Sequence, residues 1–163
     1  MPPIPPWNAA HPALVHLPIG VLVLVPMLAL LALVLVKHRT GLSIAAAVAL
    51  VVGTIGAQVA VMSGEAAAEV AVVDDRTEVI LHEHEESTER ARMVFIGVSV
   101  VMLAGMGWSI VARERAPKWA MPATLGVVLV SSGVGLVMLA NAAHLGGRLV
   151  HEYGIRAPLV TPP

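Results

Sequence analysis

Histidines are the residues of this sequence best suited to chemistry near neutral pH, because a neutral imidazole can bind a metal through either ring nitrogen. The chain has seven histidines and no cysteine. Without thiols, thiolate-bound iron–sulfur clusters and thioether-attached haem are excluded, so a redox centre must use His, Met or carboxylate ligands. Six histidines fall near the ends of hydrophobic runs that we assign to one face of a membrane: His11, His16, His82, His84, His144 and His151.

The spacing of these histidines predicts that several lie at a common depth. In an up-down bundle, residues equidistant from a turn lie at the same height, and the turns are expected near residues 39, 74–75 and 116. One predicted layer holds His16, Glu65, His84 and His144. A second layer, about 10 Å further out, holds His11, Glu69, His82 and His151.

Helix geometry separates His82 from His84. Residues two apart point about 200° from each other on a helix, so only one of the two can face the bundle axis. The face that continues from His84 is uncharged, whereas that of His82 continues through Glu86 and Glu89. We therefore expect His84 to point inward and His82 to face water.

Two opposed imidazoles are the simplest way for a helical bundle to hold b-type haem without cysteine. We expect the ligands to be two of His16, His84 and His144, with His11 and His151 as further candidates. Small residues at this depth leave room for the haem ring, and nearby arginines supply positive charge for its propionates. The small residues are Gly64, Ala67, Gly146 and Gly147, and the arginines are Arg148, Arg90 and Arg92.

Two other interpretations of the same residues stay open. Three histidines with one carboxylate, namely His16, His84, His144 and Glu65, also describe a site for a Zn, Cu or Fe ion. Alternatively, the histidines serve only as hydrogen-bonding groups in a structural subunit of a membrane complex, with small residues forming helix contacts. Spacing alone does not choose among haem, a metal ion and a structural role.

Four long hydrophobic runs must position these side chains. The chain of 163 residues is 57% hydrophobic and 13% charged, with a mean hydropathy of +0.83, which is too apolar for a soluble domain. We predict one all-α domain over residues 1–163, an integral membrane up-down four-helix bundle whose helices 2 and 3 extend beyond the membrane on the outer side. The expected spans are 12–36, 42–62, 93–112 and 119–143, and the Pro-rich termini 1–10 and 156–163 are expected to be flexible.

Charge in the short loops predicts the orientation. Lys37 and Arg39 follow the first span, and Arg113, Arg115 and Lys118 follow the third. By the positive-inside rule these two turns are cytoplasmic. Both termini and the 63–92 hairpin then lie on the periplasmic side of a bacterial inner membrane. The formal net charge of −1 and the lack of a long basic run argue against nucleic acid as a partner.

Several motifs resemble those of a known family. They are HPALVHLPIG at residues 11–20, SGEAA at 63–67, the pair His84-Glu85 and HLGGRLV at 144–150. Together they resemble the bacterial four-helix membrane family catalogued as domain of unknown function 2231. The sequence departs from the family pattern at Leu17, where Phe is common, and at His151, where Tyr is common, so the resemblance gives His151 little support as a ligand.

This resemblance implies a function in electron transfer. Some relatives are fused to Rieske or cytochrome c domains, which are respiratory redox proteins. The resemblance therefore favours haem b over a metal ion, and an electron-transfer subunit over an independent enzyme. The expected partners are the lipid bilayer and another redox protein or membrane-complex subunit, with a second copy of the chain as a further candidate.

Overall fold

The chain is all-α in the computed structural model, which describes residues 5–112 and 115–155. The helices are α1 (His11–Leu14), α2 (His16–Val34), α3 (Arg39–Ala68), α4 (Asp75–Ala112) and α5 (Ala120–His151), with short 3₁₀ helices η1 (Trp7–Ala9) and η2 (Val36–His38). Helices α1 and α2 are separated only by Val15 and together make the first span candidate, His11–Val34.

The four long helices pack as a closed bundle. Helix α2 contacts α3 and α5, and α4 contacts the same two helices, so α2 and α4 lie diagonally across the bundle. The interior is filled by apolar side chains that include Leu22, Leu50, Phe95, Met102, Leu125 and Val128. The predicted four-helix architecture is confirmed.

Glycines allow close contacts within each helical hairpin. A Cβ at Gly53 would lie 2.6 Å from Leu22, and one at Gly135 would lie 2.9 Å from Phe95. Both distances are shorter than real Cβ contacts, so these two positions need glycine. Gly53 in α3 therefore lets α2 approach closely.

The outer surface of the bundle is apolar, as expected for a multi-pass membrane protein. Four helices are long and apolar enough to span a bilayer, and large aliphatic side chains on the exterior are exposed, including Val34, Ile110, Val130 and Val137. Helix α4 has 38 residues, or about 57 Å, against about 30 Å of hydrocarbon. Helix α4 is therefore longer than the hydrocarbon layer is thick, and the limits and orientation of the spans stay predictions.

The N-terminal segment differs in part from the expected flexible terminus. Residues Trp7–Ala9 form η1, and Ala9 is buried, with η1 packed against α3. This contact holds the chain just before α1 and so helps to position His11. The first four residues and the predicted flexible tail at 156–163 lie outside the described residues.

Candidate cofactor site

Two histidines meet where the outer ends of the hairpins converge. The imidazoles of His11, from α1, and His84, from α4, have ring centroids 6.4 Å apart and planes at 85° to each other. Both side chains are half-buried. The site is therefore formed by two segments that are distant in sequence and lie on diagonally opposed helices.

Hydrogen bonds to the backbone fix the tautomer of each ring. Nδ1 of His11 lies 2.8 Å from the carbonyl oxygen of Ala60, and Nδ1 of His84 lies 2.8 Å from that of Ala142. A carbonyl oxygen can only accept, so each Nδ1 must carry the proton and donate it. Each Nε2 then keeps its lone pair, which is the form that binds a metal.

A glycine lies one helical turn beyond each of these carbonyls and packs against the same ring. A Cβ at Gly64 would lie 3.0 Å from Cε1 of His11, and a Cβ at Gly146 would lie 3.1 Å from Cε1 of His84. Any larger side chain would displace the imidazole. The two hairpins thus hold their histidines in the same way, with a carbonyl at position i and a glycine at position i+4.

A buried hydroxyl group lies beside His11 and has no equivalent beside His84. Ser63 is fully buried, and its Oγ donates to the carbonyl of Ala60 at 2.8 Å. The same Oγ lies 3.2 Å from Nδ1 of His11, so the hydroxyl oxygen can accept part of that N–H bond. The equivalent helical position beside His84, three residues after Ala142, is Leu145.

A cavity of about 590 Å³ adjoins the two imidazoles, which is a typical volume for a cofactor pocket. Its apolar lining includes Val61, Ala67, Leu81, Leu149 and Val150, and its acidic residues are Glu65, Glu85, Glu86 and Glu89. Gly64 and Gly146 also line it. The lining therefore combines apolar side chains with four exposed carboxylates.

The spacing of the two rings fits a metal bound between them. An imidazole nitrogen binds a metal at about 2.0–2.1 Å, and adding about 1.1 Å from nitrogen to ring centroid on each side puts two opposed rings about 6.3 Å apart. The observed separation is 6.4 Å. The donor set, the tautomers and the glycines fit His11 and His84 as the residues that would hold a haem iron, which would supply one-electron chemistry.

Comparison with known proteins identifies the family. The sequence matches the family described as predicted membrane protein (DUF2231) over residues 8–158. The chain belongs to this family. No curated protein and no solved structure matches it. The resemblance drawn from the sequence motifs is confirmed.

The predicted layer of His16, Glu65, His84 and His144 does not form in this DUF2231 protein. His16, Glu65 and His144 are exposed. Within residues 5–112 and 115–155, no three His, Asp or Glu side chains are grouped so that they could hold a metal ion. Of the four, only His84 is half-buried beside another histidine, and its neighbour is His11.

The turn between the first two spans explains why His11 takes the position expected for His16. That turn is formed by η2 (Val36–His38), slightly before residue 39, where we expected its centre. The centre of η2 is Lys37, two residues before residue 39, and this difference moves the residue opposite Gly64 toward the N-terminus by about four positions, or about 6 Å. His11 therefore packs against Gly64.

Helical phase explains why His144 points outward. Ala142 and Gly146 both face His84, and His144 lies two residues from each. On a helix this offset turns a side chain about 200° away. His151 and His82 are also exposed, as we expected for His82.

The three predicted arginines are all paired with carboxylates, and the partner of Arg92 is Glu89. Arg148 donates to Glu152 at 2.9 Å and to the hydroxyl of Tyr153. Arg90 lines the cavity and forms an ion pair with Glu86. Arg90 is thus adjacent to the histidine site, while Arg148 is held by the end of α5.

The sequence does not predict the pairing of His11 with His84, because the expected depths put the two residues in different layers. The useful signal is the combination of depth with small residues, since Gly64 and Gly146 are the positions that each ring contacts. Gly147, which was also expected to make room, has nothing near its Cβ position.

Proposed function

We propose that this DUF2231 protein is a membrane cytochrome b-like electron-transfer subunit that binds one haem b between His11 and His84. The observation that carries the proposal is the matched pair of imidazoles. Both donate Nδ1–H to a backbone carbonyl, and their centroids are separated by the distance expected for two ligands of one metal. Bound haem would supply one-electron chemistry through its iron.

The residues of the chain have separable roles in this proposal. His11 and His84 hold the iron through Nε2, and the carbonyls of Ala60 and Ala142 fix the tautomer and the orientation of each ring. Of the three arginines expected near the propionates, Arg90 is the one that lines the cavity, so we assign that role to Arg90.

The proposed location and partners follow from charge. With the basic turns in the cytoplasm, the histidine pair lies on the periplasmic side of a bacterial inner membrane. From there a redox protein in the periplasm, another subunit of a membrane complex or a second copy of the chain could exchange electrons with the haem. In this proposal the protein is an electron-transfer subunit and does not act as an independent enzyme.

A second candidate is a single Zn, Cu or Fe ion on the same two imidazoles. The ring separation of 6.4 Å suits any metal with a bond of about 2.0–2.1 Å to nitrogen. The remaining coordination positions would be taken by water or by an external ligand. This candidate uses the same two ligands, His11 and His84, as the first, and elemental analysis for bound metal distinguishes it from haem.

The test is the optical spectrum of the full chain purified in detergent. We expect a Soret band with sharp reduced α and β bands, which are typical of bis-histidine haem. His11→Ala and His84→Ala each remove a ligand and should abolish these bands. His16→Ala, His144→Ala and His38→Ala change exposed histidines and should leave the spectrum of the wild type intact.

The remaining outcomes decide between the alternatives. If elemental analysis finds stoichiometric metal and the spectrum has no Soret band, the two imidazoles bind a metal ion and not haem. If the purified chain contains neither haem nor metal, the remaining interpretation is a structural subunit of a membrane complex. Loss of haem from His144→Ala but not from His11→Ala would refute the ligand assignment.

A further inference from the structure

The carbonyl oxygen of Ala60 accepts hydrogen bonds from more donors than the equivalent carbonyl oxygen of Ala142 does. It accepts from Oγ of Ser63 at 2.8 Å and from Nδ1 of His11 at 2.8 Å. As part of a continuous α-helix, it is also the i−4 acceptor for the backbone N–H of Gly64. A carbonyl oxygen has two lone pairs, so three donors share them.

The carbonyl that holds His84 has no third donor competing for its lone pairs. The carbonyl of Ala142 accepts from Nδ1 of His84 and, within α5, is the i−4 acceptor for Gly146. The residue in the place of Ser63 is Leu145, which is buried and has no hydroxyl. Both Nδ1–carbonyl distances are 2.8 Å, but the carbonyl that holds His84 has one donor fewer to share its lone pairs.

The strength of that bond affects the opposite nitrogen of the ring. An acceptor that draws the Nδ1 proton makes the imidazole a more basic ligand through Nε2. A more basic axial ligand stabilises the ferric form of a bound iron and lowers its reduction potential. A competing hydroxyl has the opposite effect, because it occupies a lone pair of the carbonyl at 2.8 Å and offers Nδ1–H in return only a longer contact to Oγ, at 3.2 Å.

We infer that Ser63 is a positioning residue that makes His11 the weaker of the two axial ligands and so raises the reduction potential of the haem. This inference rests on the proposed function. The observations that carry it are the complete burial of Ser63, its hydrogen bond to the carbonyl that holds His11, and the absence of a hydroxyl at Leu145.

The first test is the midpoint potential of Ser63→Ala in the haem-loaded full chain. The substitution leaves no buried donor unpaired, since Nδ1 of His11 keeps the carbonyl of Ala60, so the variant should fold. With the competing hydroxyl removed, the midpoint potential should fall. Ser63→Thr restores a hydroxyl and should return the potential toward that of the wild type.

The reciprocal test adds a hydroxyl to the other half of the site. Leu145→Ser places Oγ beside the carbonyl of Ala142 and should raise the midpoint potential. Leu145→Ala is its matched control, because it removes a similar buried volume and adds no hydroxyl. A shift of equal sign and size in Leu145→Ser and Leu145→Ala would overturn the inference.

A readout without haem tests the same hydrogen bonds. In the haem-free chain with ¹⁵N-labelled histidine, Ser63→Ala should move the Nδ1 proton resonance of His11 downfield and leave that of His84 in place. An unmoved His11 resonance, or a haem-loaded Ser63→Ala with an unchanged potential, would overturn the inference while the proposed function stands. A purified wild type without haem would refute the proposed function itself.

Discussion

At the scale of single residues, glycine is as important to the histidine pair as the histidines themselves. Gly64 and Gly146 occupy equivalent places in α3 and α5, and each leaves only enough space for one imidazole. A ring held on one side by a carbonyl and on the other by a glycine backbone has little freedom to turn. This arrangement fixes the ligand before any cofactor binds, which lowers the cost of ordering the site.

Adding one methyl group at these glycines should therefore disturb the site. In Gly64→Ala or Gly146→Ala, the new Cβ would lie 3.0 or 3.1 Å from the adjacent ring, so the imidazole must shift. We expect haem content to fall about tenfold or more, as for other changes to the groups that orient a metal ligand. The haem content per purified chain, from the pyridine haemochrome spectrum, measures the effect.

Gly147→Ala is the matched control, because nothing lies within 4 Å of the Cβ position at Gly147. It should keep the haem content of the wild type and favour the helix by up to about 1 kcal/mol. Equal losses of haem in Gly146→Ala and Gly147→Ala would indicate a general effect on α5 and would contradict the role we give to Gly146.

At the scale of helices, the sequence predicts much more about the elements than about the site they form. Long apolar runs and charged turns are sufficient to predict four helices and their order. The depth of a side chain depends on the exact length of each turn, and its direction depends on helical phase. The turn at η2 is centred about two residues earlier than expected, which puts His11 in the place expected for His16, and an offset of two residues turns His144 away from the axis.

The beginning of α4 shows the same limit on a smaller scale. The pair Asp75 and Glu78 predicts Asp75 as the capping residue, but Oδ1 of Asp74 accepts the backbone N–H of Thr77 at 2.9 Å. Asp74 is therefore the residue that caps α4. Hydrogen bonds from the side chain and backbone of Thr77 hold the pKa of Asp74 below its usual value.

The cap at Asp74 should make the start of α4 sensitive to acid. Because the pKa is lower in the folded chain, the stabilisation is complete above the unfolded pKa, about 3.9, and is lost as the pH falls through the folded pKa. Amide hydrogen exchange at Thr77 should accelerate in Asp74→Ala at neutral pH. In Asp74→Asn, a neutral capping residue, protection should persist and its dependence on protonation of residue 74 should disappear.

Asp75→Asn is the control for this experiment, since it changes the neighbouring carboxylate and keeps the cap. Exchange at Thr77 should then retain the acid sensitivity of the wild type. If Asp75→Asn removed that sensitivity and Asp74→Asn did not, the cap would belong to Asp75.

At the scale of the whole molecule, charge is distributed unevenly along the bundle axis. The outer hairpin, residues 63–92, carries most of the carboxylates, while Lys37, Arg39, Arg115 and Lys118 lie at the opposite turns. The histidine pair is at the acidic end. In the proposed function, the face of the membrane on which electrons enter or leave the site therefore depends on which end lies in the cytoplasm.

Cysteine labelling can establish this orientation, because the chain has no native cysteine and each introduced thiol is unique. Val72, between α3 and α4, is 93% exposed, and Lys37 and Lys118 are exposed in the two basic turns. By the positive-inside rule, a membrane-impermeant maleimide should label Val72→Cys in intact spheroplasts. It should label Lys37→Cys and Lys118→Cys only after the membrane is permeabilised. The reverse pattern would place the histidine pair at the cytoplasmic surface, where a periplasmic redox protein could not reach it, while the pairing of His11 with His84 would be unaffected.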